Sequence, residues 1–209
     1  MKRGIFITIE GPDGSGKSTQ IDNIRRCLEE KGYETIVTRE PGGTSISEKI
    51  RKVILDKNNN EMNPMTETLL YAASRAQHVA ERIGPAVESG RTVICDRFID
   101  SSIAYQGYGR DLGDCVKAIN EYAIMGYMPD ITFLMKLDPK IGKKRIREED
   151  QDRLEQEKLQ FHNKVFKGYL ELEKMYPDRI IGIDASKTIE EIRMEITVAM
   201  ERLLELDHR

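Results

Sequence analysis

The chain has no tryptophan, only three cysteines and seven prolines among 209 residues, and aromatic residues make up just 6%. Cys27, Cys95 and Cys115 are odd in number, far apart and without a CxxC pair, so neither a disulfide framework nor a zinc site is expected. Long apolar runs are missing too. The first, Ile5-Phe6-Ile7-Thr8-Ile9, stops at Glu10, too short for a signal-peptide core, and no later stretch is long enough to span a bilayer. Nor is there an excess of either charge: 33 Lys+Arg against 36 Asp+Glu leave a net −3. That excludes a broad basic field for holding nucleic acid or an anionic membrane, so any anion must be met by a few placed cations. The setting these absences imply is soluble, reducing and cytoplasmic.

What is present is material for one core. Hydrophobic residues reach 39% and charged residues 33%, and the length against ~150 residues per domain predicts a single domain over residues 1–209. Apolar strands are predicted at Ile5–Ile9, Thr35–Thr38, Thr92–Asp96, Ile131–Leu137 and Ile180–Ile183. Helices are predicted between them: Ser18–Lys31, Ile46–Ile54, Met65–Ile83 with a break at Gly84-Pro85, Cys115–Met125, Pro139 to about Arg147, Arg153–Met175 and Ile189–Leu206. Five near-continuous apolar strands alternating with helices predict a five-stranded parallel sheet covered on both faces, an α/β fold of three αβα layers.

Gly11-Pro12-Asp13-Gly14-Ser15-Gly16-Lys17-Ser18, followed by Thr19, satisfies G-x-x-x-x-G-K-[ST], with a strand leading in and a helix leading out. The glycines let successive backbone N–H groups curl around a phosphate, and the helix N-terminus adds its positive dipole. Lys17 would neutralise the β/γ-phosphates and the Ser18 hydroxyl would bind Mg²⁺. This predicts a P-loop NTPase fold that binds a nucleoside triphosphate. A guanine-reading N-K-x-D element is absent, since Asn163-Lys164 continues as Val165-Phe166. The strand ending at Asp96-Arg97 looks like a Walker B strand, whose acid can orient Mg²⁺ through water and whose arginine faces the ligand crevice at the sheet's carboxyl end.

Three further segments then converge. Thr38-Arg39-Glu40-Pro41-Gly42-Gly43 resembles the T-R-E-P-G-G signature of thymidylate kinases. Asp96-Arg97-Phe98 followed by Ser101-Ser102-Ile103-Ala104-Tyr105-Gln106-Gly107 resembles a second, and Asp152-Arg153-Leu154-Glu155 resembles that family's D-R-x-E lid motif. The resemblance runs from Ile5 to about Asp184. It implies transfer of the γ-phosphoryl of ATP to dTMP, giving ADP and dTDP in dTTP synthesis, with Mg²⁺ as cofactor and a homodimer as the assembly. A dUMP or UMP preference is the alternative.

The same resemblance implies the residue roles. Arg97 grips the dTMP phosphate, with Arg39 and Arg51 nearby, and Asp13 contacts the acceptor sugar and phosphate. Tyr71 stacks on thymine, Arg75 meets its O4 edge, and Ser102 and Gln106 complete the base pocket. Tyr105 crowds the 2′ position against ribonucleotides. The P-loop carries no arginine between Gly11 and Gly16, so a lid at about 143–155 is expected to supply the charge-stabilising one, Arg153 first, with Arg145 and Arg147 as helpers.

Overall fold

The computed structural model describes residues 3–145 and 152–207. Five strands, β1 (Phe6–Glu10), β2 (Thr35–Arg39), β3 (Thr92–Asp96), β4 (Ile131–Lys136) and β5 (Ile180–Asp184), form one sheet in the order β2-β3-β1-β4-β5. Every pairing is parallel. Side chains alternate faces along a strand, and β1 sorts accordingly. Ile5, Ile7 and Ile9 pack on one face with Ile21, Ile24 and Leu28 of α1 (Lys17–Glu30) and Ile192, Ile196 and Met200 of α9 (Ile189–Asp207). Phe6 faces the opposite layer, against Val79, Ile83, Val87 and Phe98. The polar side chains of Thr8 and Glu10 follow Phe6 at the same period. They are buried, and Thr8 Oγ1 lies 2.7 Å from Thr132 Oγ1 of β4.

The opposite layer holds α2 (Ser45–Leu55), α3 (Pro64–His78), α4 (Gly84–Glu88), α5 (Ile99–Ser102), α6 (Cys115–Ala123) and α8 (Leu159–Met175), and α7 (Pro139–Arg145) precedes the undescribed residues 146–151. Asn63 caps α3 by accepting from the Met65 N–H, and Pro64 occupies the first turn, where its missing N–H costs nothing.

Three expectations are corrected. The long helix does not break at Gly84-Pro85: a π segment over Val79–Ile83 carries α3 into α4, its wider turn accommodating a proline that cannot donate. The helix expected from Arg153 begins only at Leu159. Asp152 Oδ1 accepts from the N–H groups of Leu154 (2.8 Å) and Glu155 (2.9 Å), closing a turn that competes with helix. Ser101–Gly107, read only as a motif, is helical: α5 passes into a second π segment, Ile103–Gly109, seated on α8 where Gly109 lies against Phe161 and Val165.

Candidate active site

The carboxyl ends of the central strands β1 and β3 lie side by side, Ile9 paired with Asp96, and a cavity of about 510 Å³ opens there. After β1 the chain turns through Gly11, Gly14 and Gly16, all at positive φ. A Cβ on Gly11 would run into the Met135 carbonyl, so the close approach to β4 and the left-handed backbone both demand glycine there. Gly14, Gly16, Lys17, Ser18 and Thr19 line the cavity. Lys17 Nζ donates to the carbonyls of Gly11 (3.2 Å) and Pro12 (3.0 Å), folded back over the loop. Burial, then the charge of Arg97, pull its pKa below that of a free lysine.

Opposite the loop stands Arg97, whose own φ of +69° is left-handed. Its guanidinium is held at fixed points: Nη2 donates to Asp13 Oδ1 at 2.5 Å, and Nη1 donates to Tyr169 OH (3.1 Å) and Ser101 Oγ (3.2 Å). Behind these sits Glu10, unnoticed in the sequence as a site residue. Its Oε2 accepts from Ser101 Oγ (2.5 Å) and Tyr169 OH (2.9 Å), and its Oε1 accepts from the Phe98 N–H (2.7 Å). Burial and, after it, the Asp100 charge push the Glu10 carboxyl up to about 7 against the pull of Arg97. Burial alone would raise Asp13 as well, but Arg97 and Lys17 outweigh it and hold that carboxyl well below the usual range. Tyr105 OH donates to Asp13 Oδ2 (3.3 Å), and its ring lies under Arg97, the guanidinium carbon 5.3 Å from the centroid.

Deeper in the cavity, Tyr71 and Arg75 present one face of α3, and Ser102 and Gln106 face them from α5 and its π continuation. Arg75 is fully buried. It donates to Glu40 Oε2 (2.8 Å), to Ser102 Oγ (2.9 Å), to the Phe98 carbonyl (2.9 Å) and to Asn120 Oδ1. His78, without catalytic spacing in the sequence, belongs to the same network: Nδ1 lies 3.0 Å from Glu40 Oε1 and Nε2 lies 2.7 Å from Thr38 Oγ1. Arg39 and Arg51 reach the cavity from β2 and α2, both donating to the Pro41 carbonyl, at 3.0 and 2.8 Å.

The arginines of segment 143–155 separate. Arg145 Nη1 donates to the Gly14 carbonyl of the P-loop (3.0 Å). Arg153 is buried, donating to the Ile54 carbonyl (2.8 Å) and to Glu67 Oε2 (2.7 Å) at the start of α3. Arg147 lies outside the described residues. Among the described residues no cluster of three or more His, Cys, Asp or Glu could cage a metal. Asp96 suits a different arrangement: it lines the cavity beside Ser18, and its Oδ1 is buried without a hydrogen-bond partner, an acceptor suited to the water shell of a hard cation held mainly by phosphates.

A P-loop on one side of a cavity, with a buried arginine cradle on the other and a shared carboxylate between them, defines a P-loop phosphotransferase that takes two anionic ligands. Comparison with known proteins narrows the class. The thymidylate kinase family profile matches residues 9–196. The thymidylate kinase of Clostridium novyi is 53% identical over 200 residues, spanning 94% of this chain and 98% of that protein. That of a Geobacillus species is 48% identical over 206 residues, spanning 96% and 98%. The crystal structure of thymidylate kinase from Ehrlichia chaffeensis superposes with a TM-score of 0.78 at 32% identity, covering 95% of this chain and 99% of that one. The chain belongs to the thymidylate kinase family.

Proposed function

We propose that the chain transfers the γ-phosphoryl group of ATP to dTMP, releasing ADP and dTDP, with the cavity residues in the following roles. The observation that carries this is the Asp13 carboxylate, within 2.5 Å of Arg97 and 3.5 Å of Lys17. It ties the cation of the acceptor side to that of the donor side, so that two repelling polyanions can be held end to end. Gly11 to Thr19 cradle the ATP phosphates through backbone N–H groups and Lys17. Arg97, with Arg39 and Arg51 at the rim, holds the dTMP phosphate, one of whose oxygens attacks the γ-phosphorus as the bond to the β–γ bridging oxygen breaks. That oxygen is already anionic, so no protein base is needed and placed charge supplies the catalysis. Mg²⁺, held by Ser18 and through water by Asp96, would supply charge neutralisation on the phosphates when bound.

Tyr71 stacks on the base, Arg75 and Gln106 meet its edge beside Ser102, and Tyr105, braced on Asp13, occupies the space a 2′-hydroxyl would need. Residues 143–155 act as a lid on a single domain. Arg145, whose Nη1 donates to the Gly14 carbonyl, takes the role of the lid arginine first expected of Arg153, which would reach the transferring phosphoryl only by leaving Glu67. The half-exposed Ile46, Val53 and Leu69 on α2 and α3 supply an apolar face for a homodimer. No described helix is long and apolar enough to cross a membrane, and three unpaired cysteines suit the reducing cytoplasm.

The test is ADP release across dTMP, dUMP, UMP and dCMP with ATP and Mg²⁺. Highest kcat/KM with dTMP is expected; absence of dTMP-dependent ADP release overturns the assignment.

A further inference from the structure

Glu67 is an acidic side chain with no exposure to solvent, and it is not among the residues lining the cavity. It lies one turn before Tyr71 and two before Arg75 on the same face of α3. Four donors converge on it. Oε1 accepts from Gln106 Nε2 (2.9 Å) and Arg110 Nε (3.3 Å), and Oε2 accepts from Arg110 Nη2 (3.0 Å) and Arg153 Nη2 (2.7 Å). Burial would raise the Glu67 carboxyl, but the hydrogen bonds of Arg110 and Gln106 hold it below its ordinary value, so it stays ionised and can only accept.

An acceptor-only neighbour settles which way the Gln106 amide faces. Its NH₂ group is spent on Glu67, and its Oε1 is left buried, in a cavity-lining residue, with no hydrogen-bond partner. A buried acceptor without a donor costs free energy until a ligand supplies one. N3 of a thymine or uracil ring carries a hydrogen and donates; N3 of cytosine has none and accepts. We infer that Glu67 is a positioning residue for pyrimidine choice, turning Gln106 so that its carbonyl oxygen alone meets the base and an N3–H ring is selected over an N3 acceptor. This rests on the base-pocket assignment above. Glu67 does not read the 5-methyl group, so thymine and uracil are alike to it.

The test is kcat/KM for dTMP, dUMP and dCMP in wild type and in Glu67→Gln, with thermal midpoints measured in parallel. In the variant the new amide can donate to Gln106 Oε1, releasing Gln106 to present its NH₂ group to the base. The dTMP-to-dCMP ratio should fall by about tenfold or more, while the dTMP-to-dUMP ratio stays within about twofold of wild type. A merely structural role would lower the three substrates in proportion. If Glu67→Gln does not fold, Glu67→Asp keeps the charge for Arg110 and Arg153 while drawing it back from Gln106, and the same ratio should fall. An unchanged dTMP-to-dCMP ratio in a folded variant overturns the role of Glu67. A wild-type enzyme that does not prefer dTMP to dCMP overturns the base-pocket assignment instead.

Discussion

Asp13 Oδ1 accepts from Arg97 Nη2 at 2.5 Å while lying 3.5 Å from Lys17 Nζ, so one carboxylate oxygen stands between the two cations of the cavity. Replacing it by a neutral amide leaves like charges facing each other without their bridge. Asp13→Asn should lower kcat for dTMP by about tenfold or more, the scale of one lost positioning contact in a preorganised site. Steady-state kinetics with saturating ATP decides this; a wild-type kcat removes Asp13 from the machinery.

Tyr105 is fixed from two sides, by Asp13 at its hydroxyl and by Arg97 over its ring. Tyr105→Ala should therefore open room beside the sugar and raise the relative kcat/KM for ribonucleotide acceptors, by about tenfold for UMP over dUMP. No movement in that ratio would reduce the tyrosine to a packing role.

Arg145 and Arg153 separate by what they touch. Arg145→Ala should cut kcat by about a hundredfold with the dTMP KM little changed, as expected for an arginine acting mainly in the transition state. Arg153→Met should instead lower stability by roughly 2 kcal/mol, less than the loss of a sole buried partner, because Arg110 keeps Glu67 paired. Kinetics and thermal melts on the two variants check both; the reverse pattern would make Arg153 the catalytic lid residue.

Glu10 predicts a pH dependence of stability. Its ordinary value is 4.5, and in the fold it sits near 7 because burial and Asp100 disfavour the charged form. An acid raised in the folded state favours folding while protonated. Its contribution is complete below about 4.5 and is lost as pH rises through about 7. Glu10→Gln stays neutral, so its thermal midpoint relative to wild type should climb across that window; a constant difference would show that Glu10 does not titrate there.

Much of this was legible in the chain. The five strands announced themselves as apolar runs because both sheet faces are covered, and the P-loop carried its glycines at fixed spacing between a strand and a helix. Arg97, Tyr105 and Gln106 lay in local signatures, Tyr71 and Arg75 followed from the family resemblance, and the fold brings all five to one cavity. What escaped were residues whose roles depend on distant partners. Glu10 ends the first apolar run, His78 stands in no catalytic spacing, and Glu67 is an acid in the first turn of a helix, so none of the three is marked by its neighbours. Their partners lie 35 or more residues away in sequence, and no periodicity encodes that. The helical spacing of Glu67 to Tyr71 was the one available hint. The Ile103–Gly109 segment escaped for a related reason: it packs on α8, with Gly109 against Phe161 and Val165, contacts that lie over 50 residues away in sequence.

The P-loop and α7 meet backbone to backbone. A Cβ on Gly14 would strike the Gly142 carbonyl, and one on Gly142 would strike the Asp13 carbonyl. Helix α7 therefore packs directly on the phosphate cradle, its backbone against that of the loop. Two glycines thus set how closely α7 and the loop can approach, and the Arg145 hydrogen bond to the Gly14 carbonyl ties the same two edges together.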